Sequence, residues 1–166
     1  MIKNVIEEKL EVLKGEPWVA IGRAGDMLWI GFGDDIEYTN PVGRVRTVSA
    51  YALHLQCPWR IVEEKSIIIA SYDIYQPASQ MLGKKDFDWD VHGNNLFDEK
   101  ADEIHRRLKT EIITVNSVLA DQYGGIKLDF DNGLVLEVFI NSCEQKENWR
   151  MLDNKLGPHF VVFERH

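Results

Sequence analysis

Four side chains able to bind ligands or move protons, His54, Gln56, Cys57 and Arg60, fall in the short run from Leu53 to Arg60. On a helix, the His-x-x-Cys spacing would suggest half of a metal site. The run reads instead as a strand, on which successive side chains point to opposite faces. Tyr51, Leu53, Leu55 and Cys57 then share one face, and His54 and Gln56 share the other. His54 and Cys57 point apart, so no metal site is assigned and Cys57 is expected as a core thiol. If the strand continues past Pro58, Arg60 joins His54, and Asp73 approaches from the adjoining strand. A His54–Arg60–Asp73 cluster would suit an anion or a polar partner, with the carboxylate fixing the imidazole tautomer. The same groups also serve as a hydrogen-bonded structural histidine beside an ion pair.

Asp86-x-Asp88-x-Asp90 has the opening rhythm of a calcium loop. The sixth and twelfth positions are Val91 and Phe97, where such a loop needs Gly and Glu, so a solvated acidic loop is expected. Trp89 and His92 make that loop a candidate recognition surface. Trp149 and Arg150 form either a short helix docking its indole on the sheet or a partner-binding, cation–π edge. Trp18, Trp29 and Trp59 lie on or beside strands and read as core or barrel-end residues. The chain carries no Gly-x-Ser-x-Gly elbow, no phosphate-cradling glycine loop and no dinucleotide fingerprint, so no catalytic residue and no cofactor is assigned. An active site would have to be assembled from distant residues such as His54, Asp73 and His159.

The run Tyr51-x-Leu53-His54-x-Gln56-Cys57-Pro58-Trp59-Arg60 resembles a small, largely uncharacterised family of bacterial proteins. The likeness extends to Ser71-x-Asp73, to Glu147-Asn148-Trp149-Arg150 and to His159-Phe160-Val161-Val162. Tyr51 stands where Trp is commoner in such sequences. The resemblance implies an intracellular bacterial protein of unassigned role and supplies no catalytic or binding residues.

These residues must be positioned by one domain, because 166 residues hold a single ordinary core and are too few for two comfortable ones. A 45% hydrophobic and 28% charged composition is that of a soluble globular protein, and no apolar run has the length of a membrane span. Acids at Glu7 and Glu8 stand where a secretion signal would be apolar, so a cytoplasmic location is expected. Cys57 and Cys143 then read as free and buried. The net charge of −8 argues against nucleic acid, since Arg44 with Arg46 and Arg106-Arg107 with Lys109 are diluted by acids. A basic protein partner fits it better.

Ile2, Val5, Ile6, Leu10 and Leu13 recur at helical spacing, which predicts an amphipathic helix over 2–14 closed by Gly15 and Pro17. Strands over 18–23 and 27–32 would turn at Ala24-Gly25, pairing Ile21 with Leu28 and Val19 with Ile30. The Gly, Asp, Asn and Pro content of 33–47 reads as a surface loop. Strands at 48–57 and 66–73 turn around Glu63-Glu64-Lys65, and a second long loop runs from Gln76 to Asn94. A second helix starts near Asn95, with Phe97, Ala101, Ile104 and Leu108 on one face, and a strand follows from Glu111. Between Ile126 and Ile140, a three-residue Asp131–Gly133 loop sets Ile126, Leu128 and Phe130 against Val138, Leu136 and Leu134; a two-residue loop would set charges against the core. His159 to Glu164 is read as the last strand.

The sum is an α+β fold with one mainly antiparallel, strongly twisted sheet of about seven strands, curling towards a half-barrel, with an N-terminal and a mid-chain helix. The functional expectation is a non-enzymatic interaction protein of the immunity or accessory kind that masks a basic partner. The alternative is a small-molecule binder or hydrolase, its pocket lined by Trp29, Trp59 and Phe139 and made polar by His54, Arg60 and Asp73.

Overall fold

The structure is a computed structural model that describes residues 2–162. The predicted first helix is α1 (Ile2–Leu10), extended by a 3-10 turn over Glu11–Leu13 and ended where Gly15 takes a φ of +79°. Its apolar face buries Ile6, Leu10 and Leu13 completely. A hairpin joins β1 (Trp18–Ala24) to β2 (Met27–Thr39). Its turn is Gly25-Asp26 and not Ala24-Gly25, so Ile21 faces Ile30 where Leu28 was expected. The reason is local: Gly25 adopts the positive φ, +60°, that Ala24 would resist.

Residues 33–47 depart from the predicted loop. β2 runs on to Thr39 and pairs with β3 (Val45–Leu55), leaving only the tip around Asn40–Arg44 as a turn. Gly33 and Asp34 mark a bulge, where the pairing register shifts between Phe32 and Asp35 and Gly33 takes a φ of +80°. The turn-like composition thus belongs to a bulge and a tip, with Ile36, Tyr38 and Thr39 extended between them.

Gln56, Cys57 and Pro58 then carry the chain out of one sheet and into another, where β4 (Trp59–Glu63) turns into β5 (Ser66–Ala70). The remaining elements are α2 (Leu96–Leu108), β6 (Val115–Ala120), β7 (Ile126–Phe130), β8 (Leu134–Val138), β9 (Trp149–Asp153) and β10 (His159–Val162). The rest of the expected last strand lies outside the described residues. Two antiparallel five-stranded sheets replace the single predicted one, in the orders β1-β2-β3-β9-β10 and β5-β4-β8-β7-β6. The physical cause of the split is the Gln56–Pro58 crossing, matched by a return crossing between β8 and β9. The amide of Gln56 donates to Asn148 O (2.8 Å), and the amide of Phe139 donates to Pro58 O (2.8 Å). Tyr51, Leu53, Leu55 and Cys57 are buried as predicted for one face, and the alternation survives the crossing, with Trp59 and Ile61 buried in turn.

The start of β1 is stitched to the start of β6, with Trp18 N donating to Ile113 O (2.8 Å) and Val115 N to Glu16 O (3.0 Å). Helix α2 starts at Asn95 as expected, where the Asn95 side chain caps it, and packs against both β1 and β5, while α1 packs on β6. Between the sheets lies a core that includes Phe32, Leu53, Leu55, Ile61, Leu128 and Trp149. Trp18 stacks on Phe130 at 5.3 Å, and Trp59 meets Phe97 edge-on at 5.9 Å, so both indoles are core residues as read. The β7–β8 hairpin has the predicted register, Ile126 facing Val138 and Leu128 facing Leu136, with Gly133 at a φ of +88°. No helix among the described residues is long and apolar enough to cross a membrane.

Candidate functional site

Strand alternation in the first sheet sends Leu28, Ile30, Phe32, Leu53, Leu55, Trp149 and Met151 inward. The outward residues form two rungs across all five strands. One reads Gly22, Trp29, His54, Arg150, Val161, and the other Ala20, Gly31, Ala52, Leu152, His159. The second rung is built of small residues at its centre, and the β2–β3 ribbon beyond the Gly33 bulge rises beside it. The result is a groove of about 950 Å³, floored by Ala20, Ala52 and Leu152 and edged by Trp29, His54 and His159, with Asp34, Tyr38 and Arg46 on the ribbon side.

Gly22 is required for one wall of this groove. A Cβ there would overlap the six-membered ring of Trp29, so the indole lies flat against the glycine backbone of the neighbouring strand. Gly31 has similar reason to be small, because a Cβ would come within 2.7 Å of Ser49 Oγ.

His54 sits half-buried on the middle strand with Trp29 on one side and Arg150 on the other. Burial, then the charges of Arg150 and His159, lower its pKa, against an opposing pull from Glu147. It is therefore a neutral imidazole near pH 7, able to donate from one nitrogen and accept at the other. Arg150 is held in a fork by Glu147, Nε to Oε1 and Nη2 to Oε2 both at 2.5 Å, and its Nη1 lies 3.5 Å from His159 Nδ1. The same bonds lower the Glu147 pKa. His54, Arg150, His159 and Glu147 thus form a polar cluster beside one end of the groove, whose ribbon side is itself polar with Asp34, Asp35, Asn40 and Arg46. Such a cluster can donate and accept hydrogen bonds and carries charge.

The predicted His54–Arg60–Asp73 cluster is not assembled. Arg60 stands on the second sheet, bonded to Glu137 (Nε to Oε2, 2.5 Å) and lying 5.3 Å over the Phe139 ring. Asp73 lies in a 3-10 turn over Ser71–Tyr75 beyond the end of β5, where its carboxylate accepts the amide of Ala70 at 2.7 Å; burial raises its pKa. The alternation was right, but His54 and Arg60 point outward from two different sheets. Of the aromatic residues expected around a pocket, Trp29 lines the groove, Trp59 is in the core, and Phe139 is half-exposed elsewhere.

Trp89 and His92 lie on the predicted long loop, which also contains a short 3-10 turn over Ser79–Met81. The loop is pinned: Trp89 packs on the core and meets Tyr75 edge-on at 5.0 Å, and its carbonyl accepts from Asn95 Nδ2. The pin is an ion pair between Arg23 and the buried Asp98 (Nε to Oδ1, 2.8 Å), with Gly93 N also donating to Asp98. Burial works against the Asp98 charge, but the bonds from Arg23 and Gly93 outweigh it and hold the carboxyl below its ordinary range. His92 remains exposed, its Nδ1 3.7 Å from Asp98. In the acidic run, Asp88 accepts the Asp90 amide and Asp90 pairs with Arg23. Among the described residues no group of three or more His, Cys, Asp or Glu is gathered as a metal site requires.

Trp149 is fully buried in strand β9, its indole donating to Gly124 O at 2.8 Å, so neither the short helix nor an exposed indole edge is found; only Arg150 faces outward. Cys57 is buried, with its thiol pushed up to about 12 by desolvation, whereas Cys143 is exposed and not buried as expected. Reading 149–153 as a strand would have exposed the Arg150–Leu152 face and its place beside His54. The signal was the apolar alternation of Trp149 and Met151, masked by polar flanks. Comparison with protein-family models, curated proteins and solved structures finds no match, so geometry alone carries the functional reading.

Proposed function

We propose that this is a non-enzymatic interaction protein that holds a segment of a partner in the groove over the first sheet. The observation that supports this most is the five-stranded outer face, floored with small residues and edged by Trp29, His54 and His159. Small floor residues let a partner backbone approach closely, and an indole beside an imidazole gives both anchoring area and directional bonds. The net charge of −8 favours encounter with a basic partner, which fits an immunity or accessory role in the cytoplasm. Kinship with the bacterial family resembling the Tyr51–Arg60 run belongs to this proposal and adds no site residue. A second reading is a small-molecule binder, favoured by a cavity volume within the usual ligand range of roughly 300–1,000 Å³.

The test is affinity capture at low and high salt, comparing the wild type with a His54→Ala, His159→Ala variant of verified fold. Capture of one protein by the wild type, reduced at high salt and lost in the variant, supports the proposal. Equal capture by both chains overturns it. A chain that captures nothing but gains thermal stability with small ligands, in a way that needs His54, establishes the second reading.

A further inference from the structure

The 3-10 turn over Ser71–Tyr75 has three residues per turn, which sets Tyr72 and Tyr75 one above the other. Its inner side is anchored: Ile74 is buried, Asp73 accepts the amide of Ala70, and Ser71 Oγ accepts the amide of Trp59 at 3.3 Å. Its outer side brings the two tyrosines to the surface, Tyr72 69% and Tyr75 39% exposed. Their rings meet edge-on at 5.8 Å, and Tyr75 meets Trp89 at 5.0 Å, which makes a row of three rings. Tyr75 and Trp89 help to hold the 76–95 loop, whereas the Tyr72 hydroxyl has no hydrogen-bond partner among the described residues. Tyrosines held in one place by a pinned turn offer contact area at a low cost in side-chain entropy.

Two observations narrow the occupant. Neighbouring rings are inclined by 61° and 69°, so the row is no flat platform for stacked bases or sugars, while each ring face attracts cations. Beside the rings stands a carboxylate. The Tyr75 phenol donates to Asp26 Oδ2 at 2.9 Å, and Asp26, exposed in the β1–β2 turn, has no partner for Oδ1 among the described residues. Donating to a carboxylate enriches the phenol in electrons and strengthens its face as a cation acceptor. Arg23, from the same hairpin, is committed to Asp98 and Asp90 and does not pair with Asp26. A ring face next to a free carboxylate oxygen matches a guanidinium, which stacks by its plane and donates from its edge. An ammonium is a hydrated point charge and uses the arrangement less well.

We infer that the Tyr72–Tyr75 face beside Asp26 receives an arginine side chain of a partner protein, its guanidinium lying on the rings and donating to the Asp26 carboxylate. The net charge of −8 favours approach of such a basic segment. Asp26, Tyr72, Tyr75 and Trp89 do not line the groove over the first sheet, so this contact is separate from the one proposed above and stands whatever the groove holds.

Titration with the blocked tripeptide acetyl-Gly-Arg-Gly-amide tests it, read from the ring resonances of isotope-labelled tyrosine. Saturable shifts centred on Tyr72 and Tyr75 are expected, with a dissociation constant of about 1 mM. Acetyl-Gly-Lys-Gly-amide should bind about fivefold more weakly. Asp26→Asn keeps an acceptor for the Tyr75 phenol while removing the charge, and Tyr72→Ala removes an exposed ring. Each should weaken the arginine peptide about fivefold or more with unchanged circular dichroism. The His54→Ala, His159→Ala variant should bind it as the wild type does. Absence of tyrosine shifts up to about 20 mM peptide, equal binding of the two peptides, or undiminished binding by either Asp26→Asn or Tyr72→Ala would each overturn the inference.

Discussion

Arg23 and Asp98 show how much of the chain's stability is concentrated in one polar contact. Their side chains are only 6% and 3% exposed, yet both are ionised and joined in a fork that also secures the 76–95 loop. Breaking such a pair leaves a buried charge without compensation. Arg23→Met is therefore expected to cost about 3 kcal/mol, and Asp98→Asn in the same chain to restore part of it. The folded Asp98 pKa lies below its ordinary value of 3.8, so the unfolded chain binds the proton more readily. The pair's contribution is present above that value and lost as pH falls through the folded pKa. Urea midpoints between pH 3 and pH 6 should thus fall more steeply for the wild type than for Asp98→Asn; equal slopes would remove Asp98 from the acid response. His54 adds in the same direction, because its lowered pKa makes protonation below pH 6.5 more costly in the folded chain. Neither Arg23–Asp98 nor Arg150–Glu147 was legible in the sequence as a pair, although the second lies three residues apart. An isolated sequence shows that charges exist, not which of them the sheets bring together. What could be read was phase: the alternation through Tyr51–Cys57 placed His54 outward and Cys57 in the core correctly.

At the scale of elements, legibility followed the strength of the local signal. Helix α2 carried a regular apolar face starting near Asn95, and β7–β8 carried a glycine turn whose register only one loop length could satisfy; both were predicted as found. β9 is five residues between polar flanks; β10 pairs with it locally, but its other partner, β3, lies about a hundred residues earlier. The β2–β3 arm was hidden for another reason, since Gly33, Asp34 and Asp35 mark a bulge that looks like the start of a loop. The groove itself depends on a small residue on β1 meeting a large one on β2. Gly22→Val should displace the Trp29 indole, shift its fluorescence and abolish groove binding, while the control Gly25→Ala strains the hairpin turn without touching the indole. Unchanged emission in Gly22→Val would mean that the ring is not held against the glycine.

The whole molecule is one frame with two joints. The chain crosses between sheets at Gln56–Pro58 and back between β8 and β9, and backbone bonds tie the two crossings together. The β1–β6 stitch and α2, which touches β1 and β5, close the flanks. Neither sheet keeps its edges if the other is lost. Thermal unfolding should accordingly be a single transition, with tryptophan fluorescence and far-ultraviolet circular dichroism coincident. Separated transitions would show two independently stable halves.

The pairing of Tyr51 with Asp153 has a consequence in time as well as in space. During synthesis β3 waits through about a hundred residues for β9, and until that strand emerges the His54 rung has no Arg150 and the small-residue floor has no Leu152. A nascent chain therefore carries an unfinished face until the strand that completes it has been made.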